Sequence, residues 1–480
     1  MEMNRQSVGG LPEILPAEPS AVPIPSATAR RNYTLGVLNG TLGTISFDFL
    51  HPELILAGLI YALTQSPLLV AVVTVISKLA GLFPQLHASS FMEHHASKRP
   101  FYVILAFLRG ASGIAMLGAM WLFMWRVDGL SLGIFFGAYL VVSVLGGLGY
   151  VVFLDMISRM IPVRSIGSFF GNRELTGGLL SLVAGWVLVQ PILDRGGEGR
   201  TSAELVANYL IVAVLGTILS IVSMAFLCMC REEPGPRAAR PTTLRESFSR
   251  GLGWLKTDAN YRAYFWLRVA FRINYLSLAF FIPYGVERIP YSADPKGVAV
   301  LGGVMIAAIK FSRSLSSAWW GRLADRAGVR PCMIGAGLCF FLGPVVFLVA
   351  PHLPPLFSVT IPLTKVVLDL PLAMYFVALI VVGAAIQGDV IGGGRFLVVS
   401  APPARRISYM GFLNTVTSPL TLLPFAGAAV MRYWSATALY WMILAGGLLY
   451  LVSAFGFKHD RPERAGKEPG EAEGASIAAE

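Results

Sequence analysis

Trp320-Gly321-Arg322-Leu323-Ala324-Asp325-Arg326-Ala327-Gly328-Val329-Arg330-Pro331 sets a charged, glycine-bracketed stretch between two apolar runs, Val298 to Trp319 and Cys332 to Ala350. Each run is about 20 residues, the length a helix needs to cross the roughly 30 Å hydrocarbon core of a bilayer. The stretch between them is expected to be a tight turn joining two membrane helices, its glycines letting the backbone reverse in few residues. Asp325 suits the unsatisfied N-terminus of a neighbouring helix, the expected one being near Gly171 and Asn172. Arg322, Arg326 and Arg330 favour the cytosolic leaflet.

Of the 480 residues, 55% are hydrophobic and 14% charged, too little polar surface for a soluble fold of this size. Apolar segments fall at about 35–62, 67–90, 101–125, 129–157, 172–193, 205–230, 261–286, 298–320, 332–350, 371–400, 408–431 and 435–457. The fold class expected is therefore an all-α integral membrane protein of twelve transmembrane helices. The net charge of +11 comes from basic residues scattered through short loops, not gathered into a patch with interleaved aromatics, so no nucleic-acid partner is expected. Cys228, Cys230, Cys332 and Cys339 lie in or beside apolar segments without metal-ligand spacing, and neither disulfides nor a zinc site are expected.

Most Lys and Arg outside the segments fall on one side, which by the positive-inside bias puts both termini in the cytoplasm of a multi-pass cell-membrane protein. Residues 1–32, rich in Pro, Ala, Glu and Ser, and 459–480 are expected as disordered tails. Two six-helix halves, 33–230 and 261–458, flank a cytosolic linker, 231–260. Within the linker Thr243-Leu244-Arg245-Glu246 has capping-box spacing, and Leu244, Phe248, Leu252 and Leu255 recur at helical intervals. An amphipathic helix on the inner membrane surface is expected.

The pattern Gly-x-Leu-Ala-Asp-Arg-x-Gly-x-Arg, carried by Gly321, Asp325, Arg326, Gly328 and Arg330, resembles the signature gate loop of the major facilitator superfamily. That loop follows helix 2 in the family and recurs after helix 8. Aligning Arg99-Pro100 with Arg330-Pro331 sets Ser90, His94 and Ser97 opposite Gly321, Asp325 and Gly328. In this first copy the acid has moved to Glu93 and both glycines are gone, which puts its gating role in doubt. Ile161 to Arg173 and Ala401 to Met410 look like the family's entries to helices 5 and 11. Drug/proton antiporters of the superfamily usually carry an arginine inside helix 4, whereas Gly129 to Met156 holds no basic residue. Proton-driven drug efflux loses weight accordingly.

Polar groups inside the bilayer are expensive and are functional candidates by default. The acids are Asp48, Glu53 and Asp389, with Asp155 at a segment end, and the cations are Lys78, Arg109, Arg268, Arg272, Lys310, Arg313 and Arg395. The resemblance implies that helices 1, 4, 7 and 10 line a central cavity. Arg268, Arg272, Lys310 and Asp389 are the substrate-binding candidates. Asp389 is expected to neutralise one arginine of segment seven, leaving the other with Lys310 in want of an anion. Asp48, His51 and Asp389 are the proton-coupling candidates, because Asp48 and His51 share a helix face beside a kink at Pro52.

The resemblance thus implies a secondary active transporter of a small solute, anionic or zwitterionic by the charge count, monomeric and dependent on the lipid bilayer. No cofactor is expected, no ATP-binding loop appears and no catalytic constellation is present, so the chain is not expected to be an enzyme. Two alternatives stand beside this. Decay of the first gate loop fits a transport-inactive scaffold or assembly factor, and Met116, Met120 and Met124, one turn apart, fit a soft-metal (copper) transporter as well as ordinary packing.

Overall fold

Helix starts along the chain carry their own stop signs, and these divide it. Asp128, Thr201 and Thr243 each accept from the backbone three residues on and receive a reciprocal bond, closing capping boxes. Ser66, Asp258, Asp369 and Ser435 cap further starts from their side chains. The computed structural model describes residues 25–82, 84–197, 201–235, 243–276, 280, 295–360 and 367–458. In order the helices are α1 (Ser26–Thr64), α2 (Pro67–Ala80), α3 (Gln85–Met92), α4 (Arg99–Leu122), α5 (Gly129–Met160), α6 (Val163–Leu193) and α7 (Ser202–Cys228). After the linker come α8 (Leu244–Thr257), α9 (Ala259–Asn274), α10 (Pro295–Ala327), α11 (Val329–His352), α12 (Leu370–Val399), α13 (Pro403–Tyr433) and α14 (Ala436–Phe455).

Among the described residues, nine helices are long and apolar enough to span a bilayer: α1, α4 to α7 and α11 to α14. The shorter α2 continues through a break into α3, and α9 and α10 stand where the seventh and eighth segments were expected. The protein is thus an all-helical, multi-pass membrane protein. The rest of segment seven lies largely outside the described residues, as do most of both tails. A hairpin of β1 (Ser358–Thr360) and β2 (Val367–Asp369) is the one strand pair described.

Three expectations change, and the irregularity expected at Pro52 takes a specific form. The first helix begins at Ser26, inside the expected tail, because Asn32 exchanges bonds of 2.8 and 3.0 Å with the Arg231 backbone and ties the helix start to the linker. The gate stretch is not a loop: α10 runs to Ala327, and Gly328 alone, at φ 88, makes the turn into α11. Only glycine adopts that backbone without strain. Segment two is interrupted after Gly81, where Pro84 cannot donate a helical bond; Gln85 bonds the freed carbonyls of Gly81 and Gly147 at 2.8 and 3.1 Å. Pro52 produces a π-helical turn, Pro52–Leu56, within α1.

Ser26, Arg231, Asn260 and Lys458 gather at one face, called here the tail face; the Lys458 N–H bonds Asn260 at 2.8 Å. The halves meet along two seams. One packs α6 on α10, where the Cβ of any residue replacing Gly321 would sit 2.6 Å from the Gly167 carbonyl oxygen. The other packs α3 and the end of α2 on α13, with Asn414 bonding Gln85 at 2.7 Å. The linker helix α8 rests on the second seam, Phe248 against Phe412 at 5.3 Å and Trp254 against Tyr409 at 5.2 Å. Leu244, Phe248 and Leu252 stay exposed, as a membrane-surface helix requires.

Candidate functional site: a two-part lock and a charged vestibule

Each seam ends at the tail face in an acid that caps the first turn of the opposite half's helix. Asp325 accepts the N–H groups of Gly167 and Ser168, both at 2.7 Å, and Arg395 of α12 pairs with the same carboxylate at 2.7 Å while bonding the Val163 carbonyl at 2.8 Å. The cap is one turn earlier than Gly171 and Asn172, because α6 starts before the apolar segment does and its open N–H groups lie in that first turn. Arg395 and Asp325 side chains are 5% and 9% exposed, so breaking the pair leaves a buried charge, at a cost of about 3–5 kcal/mol.

Glu93 does the equivalent work on the other seam. It accepts the Ser408 N–H at 2.6 Å and the Ser408 hydroxyl at 2.8 Å, with Arg405 at 3.4 Å. The apparent decay of the first gate loop is therefore a relocation by one residue: glutamate's extra methylene restores the reach to the start of α13. The charges beside the caps are exchanged between halves. Asp155 stands six residues before Ile161-Pro162, as Arg395 stands six before Ala401-Pro402. Asp155 bonds Arg406 at 3.1 Å and Arg159 at 2.8 Å, and Arg159 reaches Glu232 at 3.3 Å. Glu232 in turn accepts the N–H groups of Lys98 and Arg99, capping α4. Of the gate residues, Arg326 is exposed and Arg330 lies half-buried at the start of α11.

Further from the tail face the charges are mostly paired, as expected at Asp389 and otherwise at Lys310 and Asp48. Asp389, fully buried, takes Arg268 at 2.6 Å and the Tyr450 hydroxyl at 2.9 Å. Arg268, not Arg272, is thus its partner, because Arg268 lies one helical turn nearer the tail face and on a level with Asp389. Lys310 does not want an anion: it pairs across the seam with Asp48, and Ser181 bonds both. The Asp48 carboxylate therefore goes to Lys310 and Ser181; His51 packs edge-on to Phe47 at 5.3 Å, and its Nδ1 is buried without a hydrogen bond. Glu53 holds Lys78 at 2.9 Å, and the Lys78 ammonium sits 5.3 Å from the Tyr275 ring centre. Among the described residues Arg272, half-buried, has no ion pair, and its Nε is enclosed and unbonded; Arg313, half-buried one turn from Lys310 on α10, has none among them either.

No family model and no curated protein matches this chain in sequence. Solved structures do match in shape. A bacterial homologue of the iron transporter ferroportin, in an outward-facing state, superposes with a TM-score of 0.63, covering 89% of this chain and 98% of its own at 15% identity. FucP, a major facilitator superfamily transporter in the outward conformation, gives 0.63 over 90% of this chain and 100% of its own at 12% identity. The human organic anion transporter MFSD10 (TETRAN) gives 0.58 over 91% and 100% at 14% identity. The chain has the major facilitator fold.

Within that fold, the methionine stripe is packing. Met116 and Met120 are buried with Leu56, Val73, Phe135 and Val206, and Met124 lies against the same cluster. Among the described residues no group of three His, Cys, Asp or Glu side chains is placed to hold a metal ion. Inter-half bonds climb from Asp325 through Ser317, bonded to the Gly171 carbonyl at 2.9 Å, to Lys310. Counting along α10 at about 1.5 Å per residue, Lys310 lies roughly 22 Å above Asp325. One turn further out on α6, a Cβ at Gly185 would meet no atom within 4 Å. The contacts between halves named here thus run from the tail face up to the level of Lys310.

Glu93, Ser181, Tyr450 and Arg406 were not among the candidates. Glu93 carried a signal, an acid beside the degenerate gate position. Ser181 and Tyr450 carried none, since neither charge nor spacing separates them from other helical hydroxyls.

Proposed function

We propose that this protein is a secondary active transporter that moves a small anionic or zwitterionic solute across the cell membrane by alternating access, with both termini in the cytoplasm. The observation that carries the reading is the pair of acid caps, Asp325 on α6 and Glu93 on α13. Two matching, breakable locks on one side of two six-helix halves are what rocking around a midplane site requires. With the tail face cytoplasmic, the arrangement described is outward-facing. The scaffold reading drew its support from a dead first gate loop, and Glu93 removes that support. The copper reading loses its methionine pathway to the packing around Met116 and Met120.

Two measurements test the proposal. Reporters active only in the cytosol are expected to work when fused after residues near 95, 240, 326 and 404 and to fail after residues near 198 and 360; one internal reversal defeats the two-half scheme. In proteoliposomes, solute counterflow is expected from the wild type. A tight-binding solute that never exchanges across the bilayer would instead favour the scaffold.

A further inference from the structure

Resting on the transporter reading, we infer that Arg272 of α9 and Lys78 of α2, one from each half, form the binding site for a small oxyanion. Lys78 and Glu53 stand outside the set of substrate candidates that the sequence suggests, and the argument for them is a charge count. Asp389 is matched by Arg268, Asp48 by Lys310 and Glu53 by Lys78. These three pairs cancel; of the other charges within the spans, among the described residues, the cations Arg109, Arg173, Arg272 and Arg313 and the acid Glu174 have no ion pair, so cations are in surplus.

Geometry selects Arg272 among these. It is within electrostatic reach of Lys78, and the Tyr275 ring lies between α9 and that lysine at 5.3 Å from the ammonium. The Arg272 Nε is enclosed without a hydrogen bond, a fixed donor awaiting an acceptor, and an unpaired guanidinium is costly to hold in a membrane protein's interior. An oxyanion accepts two parallel bonds from a guanidinium, which fixes its orientation beside Lys78. Glu53 is 43% exposed and Lys78 31%, so their contact is only partly enclosed and its loss costs less than that of a fully buried pair. Binding then goes by exchange: the oxyanion takes the Lys78 ammonium and Glu53 turns to water.

On α1, His51 lies beside Glu53, with Asp48, Glu53, Lys310 and Lys78 all within electrostatic reach. The site therefore bridges α1, α2 and α9. A bound anion holds cations of both halves together, the way a solute drives closure from the open side.

The test does not require the natural solute. A cysteine at Tyr275 (Tyr275→Cys), in a chain whose four native cysteines are serine, is labelled with the anionic sulfonatoethyl methanethiosulfonate and the cationic trimethylammonioethyl reagent. A vestibule with surplus positive charge concentrates anions by roughly ten-fold or more, so the anionic reagent is expected to react faster by about that factor. The preference is expected to fall several-fold in Arg272→Gln and in Lys78→Gln, to survive Lys78→Arg, and to grow in Glu53→Gln. In parallel, lactate, glutarate and inorganic phosphate are tested for protection of the cysteine against choline and glucose. Protection by an oxyanion that Arg272→Gln abolishes supports the site even if counterflow fails, in which case only the transporter reading falls. Equal reagent rates in the wild type, or a preference unchanged in Arg272→Gln, overturns the inference.

Discussion

Asp325→Asn is expected to shift the protein out of the tail-face-closed arrangement by roughly a hundred-fold. The substitution keeps the shape of the side chain and one acceptor oxygen for the α6 N-terminus, but leaves Arg395 buried without its counter-charge. An uncompensated buried charge costs about 3 kcal/mol or more, and the open arrangement, where water reaches Arg395, escapes that cost. Spin labels on cysteines at Val163 and Arg326, which flank the seam, should report a longer and broader distance in the variant, with expression close to normal. An unchanged distance distribution would show that the α6–α10 seam holds by glycine-mediated packing alone.

Glu93→Gln is expected to be much milder, because the second lock rests less on charge. Burial is the stronger influence on the Glu93 carboxyl and raises it above the ordinary glutamate range, against the lowering effect of Ser408 and Arg405. A carboxyl that titrates higher when locked than when free favours the locked state most fully below its free value. That contribution is lost as pH rises through the raised value. Closure of the α3–α13 seam should therefore loosen as pH rises across that window, and Glu93→Gln, neutral throughout, should flatten the dependence. Labels at Ala96 and Pro403, which flank the seam without belonging to the lock's side chains, read this directly.

Much of the fold was legible because membrane helices announce themselves by length and composition, and the apolar runs place α4, α5, α7 and α11 to α14 within a few residues, whereas α6 starts nine residues early, at Val163. The ends were less legible. α10 overshoots the apolar run to Ala327 because Arg322, Asp325 and Arg326 prolong the helix in water, where hydropathy has no information. Hydropathy alone therefore makes the gate stretch a loop, whereas it is a helix end closed by one glycine. Within the site, the charged residues were identifiable but their pairing was not: whether Asp389 meets Arg268 or Arg272 turns on one helical turn of depth, about 6 Å. The Asp48–Lys310 contact joins α1 to α10 across the seam between halves, and a pairing between residues 262 positions apart leaves no periodic signal in the sequence.

The pair Arg268–Asp389 carries the largest expected effect on folding, and it also decides whether Asp389 moves protons. Asp389 is fully buried, holds Arg268 at 2.6 Å and Tyr450 at 2.9 Å, and lies about 9 Å above Arg395 on α12. Asp389→Asn leaves the guanidinium uncompensated, and Arg268→Gln leaves the carboxylate so; each is expected to cost about 3–5 kcal/mol, seen as a drop of several degrees in melting temperature in detergent. Removing both charges together often restores stability, so Arg268→Gln/Asp389→Asn should recover most of the loss, with a coupling of the two substitutions well outside additivity. The double variant then separates the roles. If Asp389 releases Arg268 when it takes up a coupling proton, the refolded double variant binds solute and exchanges it in counterflow but no longer accumulates it against a pH gradient. If the pair only fixes α9 to α12 and α14, gradient-driven accumulation returns with stability, and the proton must be carried by Asp48 or His51 at the α1 kink.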